Sequence, residues 1–486
     1  MKEDDSTAAV ALGLAAVLGF LADRLFPAGP EGPGFAIWIL LLGGAAVVVA
    51  RRADPSRIGA VAGWSTVAAT AAAATLLRDT EVVIMAMRLV LLTAASMVLL
   101  RAGGVRLWTT RPADHVLGLA LVPARAAVGV VPLLGGVQPP QESSRRRLVA
   151  VARGALLAAP LLLLFGGLFA SADAGFDRYV ATFWSEDVLA HVVFVLVFGW
   201  IAAGLLSGVR AKRLPDPLSG FTQPRLGREE TAVVLGLLAL LFLTFVSFQL
   251  GYLFGGRDVI EATSGLTVAD YARRGFFELM VVGLATIGVL LAGDALTTAR
   301  RLFRWLAGLL VACVLVILVS AVQRLMLYTA AFGLTVDRMT AAAVMAWVAA
   351  VLVLFAATVL RERPGRFSSG AVIAGIFTAF ALVMVNPGEV ATRSNLDRAA
   401  AGVREADAAY LARLGADAVP TLLERIDELP AEARCELGRT LLSRWADEPE
   451  GARDDRDWHA WNAARAAARR AVRASEGHLA AAASDC

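Results

Sequence analysis

Polar residues gather in four short segments of an otherwise apolar chain, and their types are suited to binding anions. The segments span 171–186, 265–278, 323–335 and 386–398, and each adjoins a long apolar run. Arginine binds carboxylate and phosphate groups through paired hydrogen bonds. We select fifteen of these residues as candidate site residues and call the set the polar cluster. Its members are Asp173, Asp177, Arg178, Asp270, Tyr271, Arg273, Arg274, Glu278, Arg324, Tyr328, Asn386, Arg393, Asn395, Asp397 and Arg398.

Two interpretations of the polar cluster are open. Aromatic and basic residues commonly form a belt at the level of the lipid headgroups, which needs no specific ligand. Alternatively, Arg273, Arg274, Arg324 and Arg393 hold an anionic headgroup or a partner's carboxylate in one pocket. The second interpretation requires that the four segments lie at the same membrane face.

One further charge, Arg88, lies about a third of the way into an apolar run. A charge within a membrane is costly unless it has a partner or water, so Arg88 is either paired with another helix or part of a functional site. Asp294 and Glu278 lie near the ends of their runs, from which they can reach the interface. His191 has no second histidine or carboxylate at helical spacing, so it does not indicate a metal site.

The composition excludes an ordinary water-soluble protein. Of the 486 residues, 58% are apolar and 18% are charged, and the mean hydropathy is +0.65. Soluble proteins have roughly 45–50% apolar and about 25% charged residues, and single cores stop growing at about 250–300 residues. The surplus apolar surface is therefore expected to face lipid.

About eleven apolar runs are long enough to cross a bilayer, which requires roughly 20 residues. They are 8–25, 34–50, 57–77, 82–100, 148–170, 188–208, 231–255, 276–296, 305–322, 339–360 and 367–385. If the N terminus is cytoplasmic, about 21 lysines and arginines fall in inside loops and about 8 in outside loops, as the positive-inside rule requires. The polar cluster and the C terminus are then predicted outside.

The segment 113–137 is apolar enough to suggest a twelfth span. If it crossed the membrane, Arg145, Arg146 and Arg147 would lie outside, and every later loop would oppose its charges. The segment also contains Pro123 and Pro132, which disfavour a regular helix. We therefore predict an interfacial or re-entrant segment on the cytoplasmic side, with its backbone covered by protein or water.

The last part of the chain, 386–486, is charged and lacks a further apolar 20-residue run. It shows the start and stop residues of short helices. Ser394, with Asp397 three residues later, is predicted to cap the first helix, and Gly402 to end it. A disulfide between Cys435 and Cys486 is allowed if this tail lies outside the cytoplasm.

The predicted fold is an all-α, polytopic transmembrane helix bundle of about eleven spans, with the N terminus inside and the C terminus outside, and a small all-helical C-terminal tail. The predicted divisions are a four-span segment 1–112, the interfacial or re-entrant segment and loop 113–147, a seven-span core 148–385 and the extracytoplasmic tail 386–486.

No metal site or cofactor is predicted. The chain has no G-x-S-x-G, H-E-x-x-H or phosphate-loop motif, and its three cysteines lack metal-ligand spacing. Its basic residues lie between apolar runs rather than on one face, so nucleic acid is not an expected partner. Membrane lipid is the expected partner, and an envelope protein is the alternative.

Several short strings are similar to a known family. They are Leu-Phe-Ala-Ser-Ala-Asp at 168–173, Tyr-Ala-Arg-Arg-Gly-Phe-Phe-Glu-Leu at 271–279, Gln-Arg-Leu-Met-Leu-Tyr at 323–328, Phe-Gly-Leu-Thr at 332–335, Asn-Leu-Asp-Arg at 395–398, Ala-Tyr-Leu-Ala-Arg-Leu at 409–414 and Ala-Asp-Ala-Val-Pro at 416–420. Over roughly 150–425, the chain resembles the bacterial polytopic membrane proteins catalogued as domain of unknown function 4153/4173. The resemblance implies an integral protein of the bacterial plasma membrane with no settled activity, and it assigns no catalytic residue.

Three functions are compatible with these observations. A non-enzymatic signalling or scaffold protein that binds an envelope partner or anionic lipid is favoured, because no catalytic constellation is present. A transporter or flippase would use Arg88 on a water-filled path, although no inverted repeat is detectable. A membrane transferase acting on lipid-linked substrates would use Asp23 at the outer end of the first span.

Overall fold

The computed structural model describes residues 2–27, 29–106, 112–136, 186–211, 226–254, 276–403, 407–446 and 458–484. Over these ranges the protein is helical and has no β-strand beyond one isolated bridge between Leu226 and Thr297. The helices are α1 (Lys2–Leu25), α2 (Gly32–Ala53), α3 (Ile58–Ala74), α4 (Glu81–Ala102), α5 (Pro112–Val128), α6 (Val130–Gly136), α7 (Glu186–Arg210), α8 (Arg228–Phe254), α9 (Phe276–Leu296), α10 (Arg300–Phe332), α11 (Val336–Thr358), α12 (Pro364–Val385), α13 (Pro387–Ala400), α14 (Ala408–Arg413), α15 (Val419–Glu424), α16 (Ala431–Trp445), α17 (Ala463–Ala474) and α18 (Glu476–Ser484).

Nine helices in the described ranges are long and apolar enough to cross a membrane. They are α1, α2, α4 and α7 to α12. The predicted span at 57–77 forms α3, a helix of 17 residues, and the predicted span at 148–170 lies outside the described residues. The all-α, polytopic helix bundle is confirmed, whereas its orientation stays a prediction.

The first seven helices build one bundle. Its core draws on α1, α2, α4, α6 and α7, with Leu18, Trp38 and Leu206 among the buried side chains. Because α7 packs against α1 and α2, residues on either side of the predicted boundary at 147 share this core. The predicted division into four segments is not tested by this packing and stays a prediction.

Helices α1 and α7 approach so closely that glycine is required at their contact. A Cβ atom on Gly19 would lie 2.5 Å from the carbonyl oxygen of Val195 and 2.8 Å from the Cα atom of Gly199. Small residues allow this approach between membrane helices, where packing rather than the hydrophobic effect stabilises association.

Replacing Gly19 with alanine is expected to lower the melting temperature of the purified protein, since overpacking costs about 1–3 kcal/mol. Gly13→Ala is the matched control on the same helix, because nothing lies within 4 Å of a Cβ atom at Gly13. Thermal unfolding in detergent measures both variants. Equal melting temperatures for the two would show that the contact does not constrain the bundle.

The remaining spans, α8 to α12, build a second bundle with its own core, which includes Leu310, Val348 and Phe355. The two bundles meet where α3 and α4 pack against α12. Met87 and Val383 are buried at this contact. The contact fixes the loop between α3 and α4 close to the end of the last span.

The segment predicted as interfacial or re-entrant forms α5 and α6, which pack against the C-terminal parts of α4 and α7. Leu133 of α6 is fully buried in the first core. Trp200 of α7 donates a hydrogen bond from Nε1 to the carbonyl of Ala127 at 2.8 Å. Protein therefore covers part of this segment's backbone.

The tail, α13 to α18, has a third core that includes Leu411, Val419, Leu437 and Leu479. It is entered without a linker, because Asn386 ends α12 in the left-handed conformation (φ 54°) and Pro387 begins α13.

The predicted cap at Ser394 is wrong. Ser394 lies inside α13, and the cap is Asn386, whose side chain accepts the Glu389 N–H at 3.5 Å. The predicted stop at Gly402 agrees with the structure, in which α13 ends at Ala400 and Gly402 has φ 67°.

The cysteines differ in state. Cys313 is a free thiol buried in α10, whereas Cys435 of the tail is disulfide-bonded. The sequence-predicted partner, Cys486, lies outside the described residues. A disulfide is typical of an oxidising compartment.

Two faces of the bundle can be distinguished by the tail. The tail contacts the end of α1 and the loops that join α3 to α4 and α10 to α11. His459 bonds to the carbonyl of Arg24 at 2.9 Å, Asp417 to the backbone of Asp79, and Asn395 to the backbone of Leu334. We call this end of the bundle the tail face. The other ends of the same helices form the opposite face.

Candidate functional site

A buried carboxylate fixes the tail to the loop between α3 and α4. One oxygen of Asp417 accepts the backbone N–H groups of Asp79 and Thr80 and the Thr80 hydroxyl, each at 2.8 Å. The Arg78 guanidinium lies 3.8 Å from the other oxygen. Burial raises the pKa of the Asp417 carboxyl, and the hydrogen bonds and Arg78 oppose that rise. We call these contacts, with those of Asp79 and Asn462 below, the tail latch.

The loop also binds the tail through its own acid. Asp79 accepts the Ala416 N–H at 3.2 Å through one oxygen and the Arg465 Nε–H at 2.7 Å through the other. Each side of the contact therefore contributes one carboxylate. Asp417 of the tail accepts hydrogen bonds from the loop, and Asp79 of the loop accepts hydrogen bonds from the tail. This reciprocal arrangement satisfies donors on both sides of the contact.

Asn462 completes the tail latch from the start of α17. Its Oδ1 caps α17 by accepting the Arg465 N–H at 3.1 Å, and its Nδ2 donates to the carbonyls of Thr75 and Arg78 at 3.0 and 3.1 Å. These carbonyls are acceptors at and beyond the end of α3 that the helix itself leaves unpaired.

A second contact joins the tail to the loop between α10 and α11. The Asn395 side chain accepts the Leu334 N–H at 3.0 Å and donates to the Leu334 carbonyl at 2.7 Å. Gly333 has φ 83°, and a Cβ atom there would lie 2.4 Å from Asn395 Oδ1. Tyr410 accepts the Val336 N–H at 3.1 Å. These contacts position α13 over the end of α10.

Below this contact, an apolar groove runs between α10 and α11. Its volume is about 840 Å³. It follows α10 from Leu315 to Ala330, a rise of roughly 22 Å at 1.5 Å per residue. Val319 and Met326 line it and are more than half exposed, so the groove is open along its side. We call it the lateral groove.

Two arginines stand at the tail-face end of the lateral groove. Arg338 lies in the first turn of α11, and Arg398 is contributed by α13 of the tail. Arg398 donates to the Ala330 carbonyl at 2.6 Å, and Arg338 donates to the Gly333 carbonyl. Within the described residues both arginines bind neutral carbonyls and neither forms an ion pair. Both positive charges are therefore uncompensated there.

The Arg338 guanidinium is held by an aromatic ring as well. It lies over the ring of Tyr328, 4.2 Å from the centroid, and that ring in turn contacts Phe332 at 4.8 Å. A cation over an aromatic face is stabilised by the ring quadrupole. The arrangement fixes Arg338 at the groove without neutralising it.

The family match covers most of this structure. A family described as Domain of unknown function (DUF4153) matches residues 58–425. The chain belongs to the DUF4153 family. Comparisons with curated proteins and with solved structures find no match. The resemblance identified from sequence strings was correct, although the match begins earlier than those strings, at the start of α3.

The DUF4153 region includes both the lateral groove and most of the tail latch. It contains the loop at 75–80, α10, α11 and α13, and it ends directly after α15. Helices α1 and α2 precede it, and α16 to α18 follow it, together with Asn462 and Arg465.

The structure brings together part of the polar cluster. Tyr328, Asn395 and Arg398 meet around the loop that follows α10. Arg324 is buried within α10, one turn before Tyr328. Asn386 serves as the helix cap described above.

Two other members of the polar cluster make local ion pairs instead. Arg393 binds Glu389 of the same helix at 2.8 Å. Asp397 binds Arg425, which also binds Glu428 at 2.6 Å. These pairs lie at the surface, where an ion pair contributes little to stability.

The other half of the polar cluster lies outside the described residues. Its members are Asp173, Asp177, Arg178, Asp270, Tyr271, Arg273 and Arg274. Glu278 lies in the first turn of α9, and its side chain is likewise not described. The predicted convergence of Arg273 and Arg274 with Arg324 and Arg393 therefore stays a prediction.

Arg88 has a partner at the tail face. Its Nη2 lies 3.4 Å from the Glu31 carboxylate, and both side chains are more than half exposed. Together with Trp461 and Arg465, they line a cavity of about 70 Å³ beneath the tail. Arg88, which the sequence places within an apolar run, thus lies next to polar groups of the tail.

One pair that the sequence did not indicate is Asp23 and His191. The imidazole Nδ1 lies 2.5 Å from the Asp23 carboxylate, which is 7% exposed. The two residues are 168 positions apart, on α1 and α7, so no local spacing connects them. Among the described residues, no group of three or more histidine, cysteine or acidic side chains is arranged to hold a metal ion.

Proposed function

We propose that this DUF4153 protein is a non-enzymatic membrane scaffold that binds an anionic phospholipid of the extracytoplasmic leaflet. The acyl chains occupy the lateral groove, and the phosphate lies between Arg338 and Arg398. The protein resides in the bacterial plasma membrane, with the tail face outside. The groove with its arginine pair is the observation that carries this proposal.

The dimensions of the lateral groove suit an acyl chain. A bilayer core is about 30 Å thick, so one leaflet accounts for about 15 Å of it. The groove follows α10 for roughly 22 Å, which is long enough for chains of one leaflet. Its lining along α10 is apolar up to Thr329, with Leu318, Val322 and Met345 among the side chains, and its polar residues lie at the tail-face end.

The charges at the groove favour an anion. Arg338 and Arg398 approach from different elements, α11 and α13, and neither is neutralised within the described residues. A lipid without a phosphate or carboxylate would leave both charges uncompensated beside apolar surface, which is costly, and in a zwitterionic phospholipid the headgroup cation offsets the phosphate. A phosphate accepts hydrogen bonds from two guanidinium groups at once.

Two observations support the outside location of the tail face. Lysine and arginine are concentrated in the loops of the opposite face, as the positive-inside rule requires of the cytoplasmic side. Cys435 of the tail is disulfide-bonded, which is typical of proteins outside the cytoplasm.

Removing both groove arginines is expected to weaken binding of phosphatidylglycerol. Arg338→Gln with Arg398→Gln removes about 1 kcal/mol of attraction per charge, which corresponds to roughly a 10- to 30-fold weaker affinity. Native mass spectrometry of the purified protein, titrated with phosphatidylglycerol or phosphatidylcholine, measures the change. Binding of phosphatidylcholine, whose choline cation offsets its phosphate, should weaken less.

The control removes the same charge from the same face. Arg393 and Arg413 are exposed and do not line the groove, so Arg393→Gln with Arg413→Gln should retain wild-type affinity. Replacing both groove arginines with lysine keeps the charge and should retain part of the binding. Equal loss in the control, or wild-type affinity in the groove variant, would refute the proposal.

The transferase alternative is favoured by one observation, the burial of Asp23 against His191. A buried carboxylate that orients an imidazole resembles the paired groups of general-base sites. Neither residue lines the lateral groove or the cavity beneath the tail. The lateral groove with its two arginines carries the scaffold proposal, which we therefore prefer.

A further inference from the structure

A basic cavity of about 580 Å³ lies at the opposite face, away from the lateral groove. Three arginines line it: Arg228 at the start of α8, and Arg300 and Arg301 at the start of α10. Trp305, one turn further along α10, completes one side and is 75% exposed. We call it the basic cavity.

The basic cavity is built on a fixed backbone. Leu226 N–H donates to the Leu296 carbonyl, and Thr298 N–H donates to the Leu226 carbonyl, each at 2.9 Å. The hydroxyls of Thr231 and Thr297 lie 2.8 Å apart in buried surroundings. The start of α8 is thereby joined to the end of α9, beside the start of α10. The arginines lie on either side of this contact.

Only part of the positive charge in the basic cavity is neutralised. Arg300 binds the Asp294 carboxylate at 2.6 Å. Within the described part of the chain, Arg228 and Arg301 have no carboxylate partner, and the neighbouring acids Glu229 and Glu230 are not among the residues that line the cavity. Two uncompensated guanidinium groups therefore border one space.

The position of the basic cavity identifies the chemistry of its ligand. It lies where three membrane-spanning helices begin or end, and an exposed tryptophan at such a position is typical of the lipid headgroup layer. Basic pockets between spanning helices on the cytoplasmic side bind anionic headgroups. Arginine pairs match the geometry of phosphate oxygens.

We propose that the basic cavity binds the phosphate of an anionic phospholipid from the leaflet of the opposite face. Arg228 and Arg301 contact the phosphate oxygens, and Trp305 packs against the glycerol and the upper acyl chains. This site is separate from the lateral groove in both position and leaflet, so it does not depend on the function proposed above.

Quenching of Trp305 by brominated lipid tests the proposal on the full-length protein. The Trp305 signal is the difference between the wild-type protein and Trp305→Phe in the same vesicles. Brominated phosphatidylglycerol is expected to quench this signal more strongly than brominated phosphatidylcholine at equal mole fraction. Arg228→Gln with Arg301→Gln should weaken the preference by roughly 10- to 30-fold.

Matched variants make the result decisive. Arg361 and Arg366 are exposed on the same face and do not line the basic cavity, so Arg361→Gln with Arg366→Gln should retain the preference. Equal quenching by both lipids in the wild-type protein would overturn the proposal, as would loss of the preference in this control. Unchanged melting temperature and elution volume show that each variant is folded.

A soluble phosphate would use the same arginines, and a competition arm separates the two sources. Inorganic phosphate added to the vesicles should leave the preference unchanged if the ligand is a lipid headgroup. Displacement of the brominated phosphatidylglycerol by inorganic phosphate would overturn the lipid assignment.

Discussion

Replacing Asp417 with alanine is expected to release the tail from the loop between α3 and α4. The Asp417 carboxylate accepts three hydrogen bonds from Asp79 and Thr80, and it is buried. A buried donor left without an acceptor costs about 1–3 kcal/mol, and Arg78 loses its counter-charge as well. We expect amide exchange at Asp79 and Thr80 to accelerate by roughly 10- to 100-fold.

Hydrogen exchange with mass spectrometry on the protein in nanodiscs measures this effect, and limited proteolysis reports exposure of the tail. Asp427→Ala is the control, because Asp427 is 72% exposed and its bond to His478 lies at the tail surface. Asp417→Asn retains one acceptor oxygen and should have an intermediate effect. If Asp417→Ala exchanged no faster than Asp427→Ala, the tail latch would not hold the tail.

The second prediction concerns the orientation of the chain in the membrane. The expected difference in reporter activity is all-or-none. A reporter enzyme that is active only outside the cytoplasm is expected to be active when fused after Val385 and inactive when fused after Arg361. The reason is the concentration of lysine and arginine in the loops of the opposite face.

A second reporter that is active only inside the cytoplasm serves as the control and should give the reverse result. A fusion that is inactive after Val385 and active after Arg361 would show that the chain has the opposite orientation in the membrane. The groove lipid would then belong to the cytoplasmic leaflet, and the phosphatidylglycerol of the basic cavity to the outer one.

The spans could be predicted from the sequence because they are a local property. A run of apolar residues as long as the membrane is thick forms a helix wherever it lies in the chain, since its backbone has no other partner in lipid. The predicted run 305–322, for example, falls inside α10 (Arg300–Phe332), and 367–385 falls inside α12.

The packing of the spans could not be predicted, because lipid-facing and core-facing side chains are equally apolar. Hydrophobicity does not distinguish the face of α7 that packs on α1 from the face that meets lipid, and the local sign of the contact is a small residue, Gly199. The contact of Gly19 with Gly199 and the pairing of Asp23 with His191 depend on this packing. They join residues that are far apart in the chain.

For the same reason, the sequence does not establish which members of the polar cluster meet, and the polar cluster stays a prediction as a binding site. Arg398, Asn395 and Tyr328 were selected for their types and for their common membrane face, and the structure brings them to one loop. Arg338 is not a member of the polar cluster, because its position over Tyr328 follows from the turn at Gly333. Ser394 was mistaken for a cap because Asn386, in a left-handed conformation, starts the helix two turns earlier.

The most direct test of the proposed function is a cryo-electron microscopy map of the protein in nanodiscs that contain phosphatidylglycerol. We predict lipid density along the lateral groove, with a phosphate within about 4 Å of the Arg338 and Arg398 guanidinium groups. Density for a protein segment in the groove, or acyl chains there without a headgroup at the two arginines, would contradict the proposal.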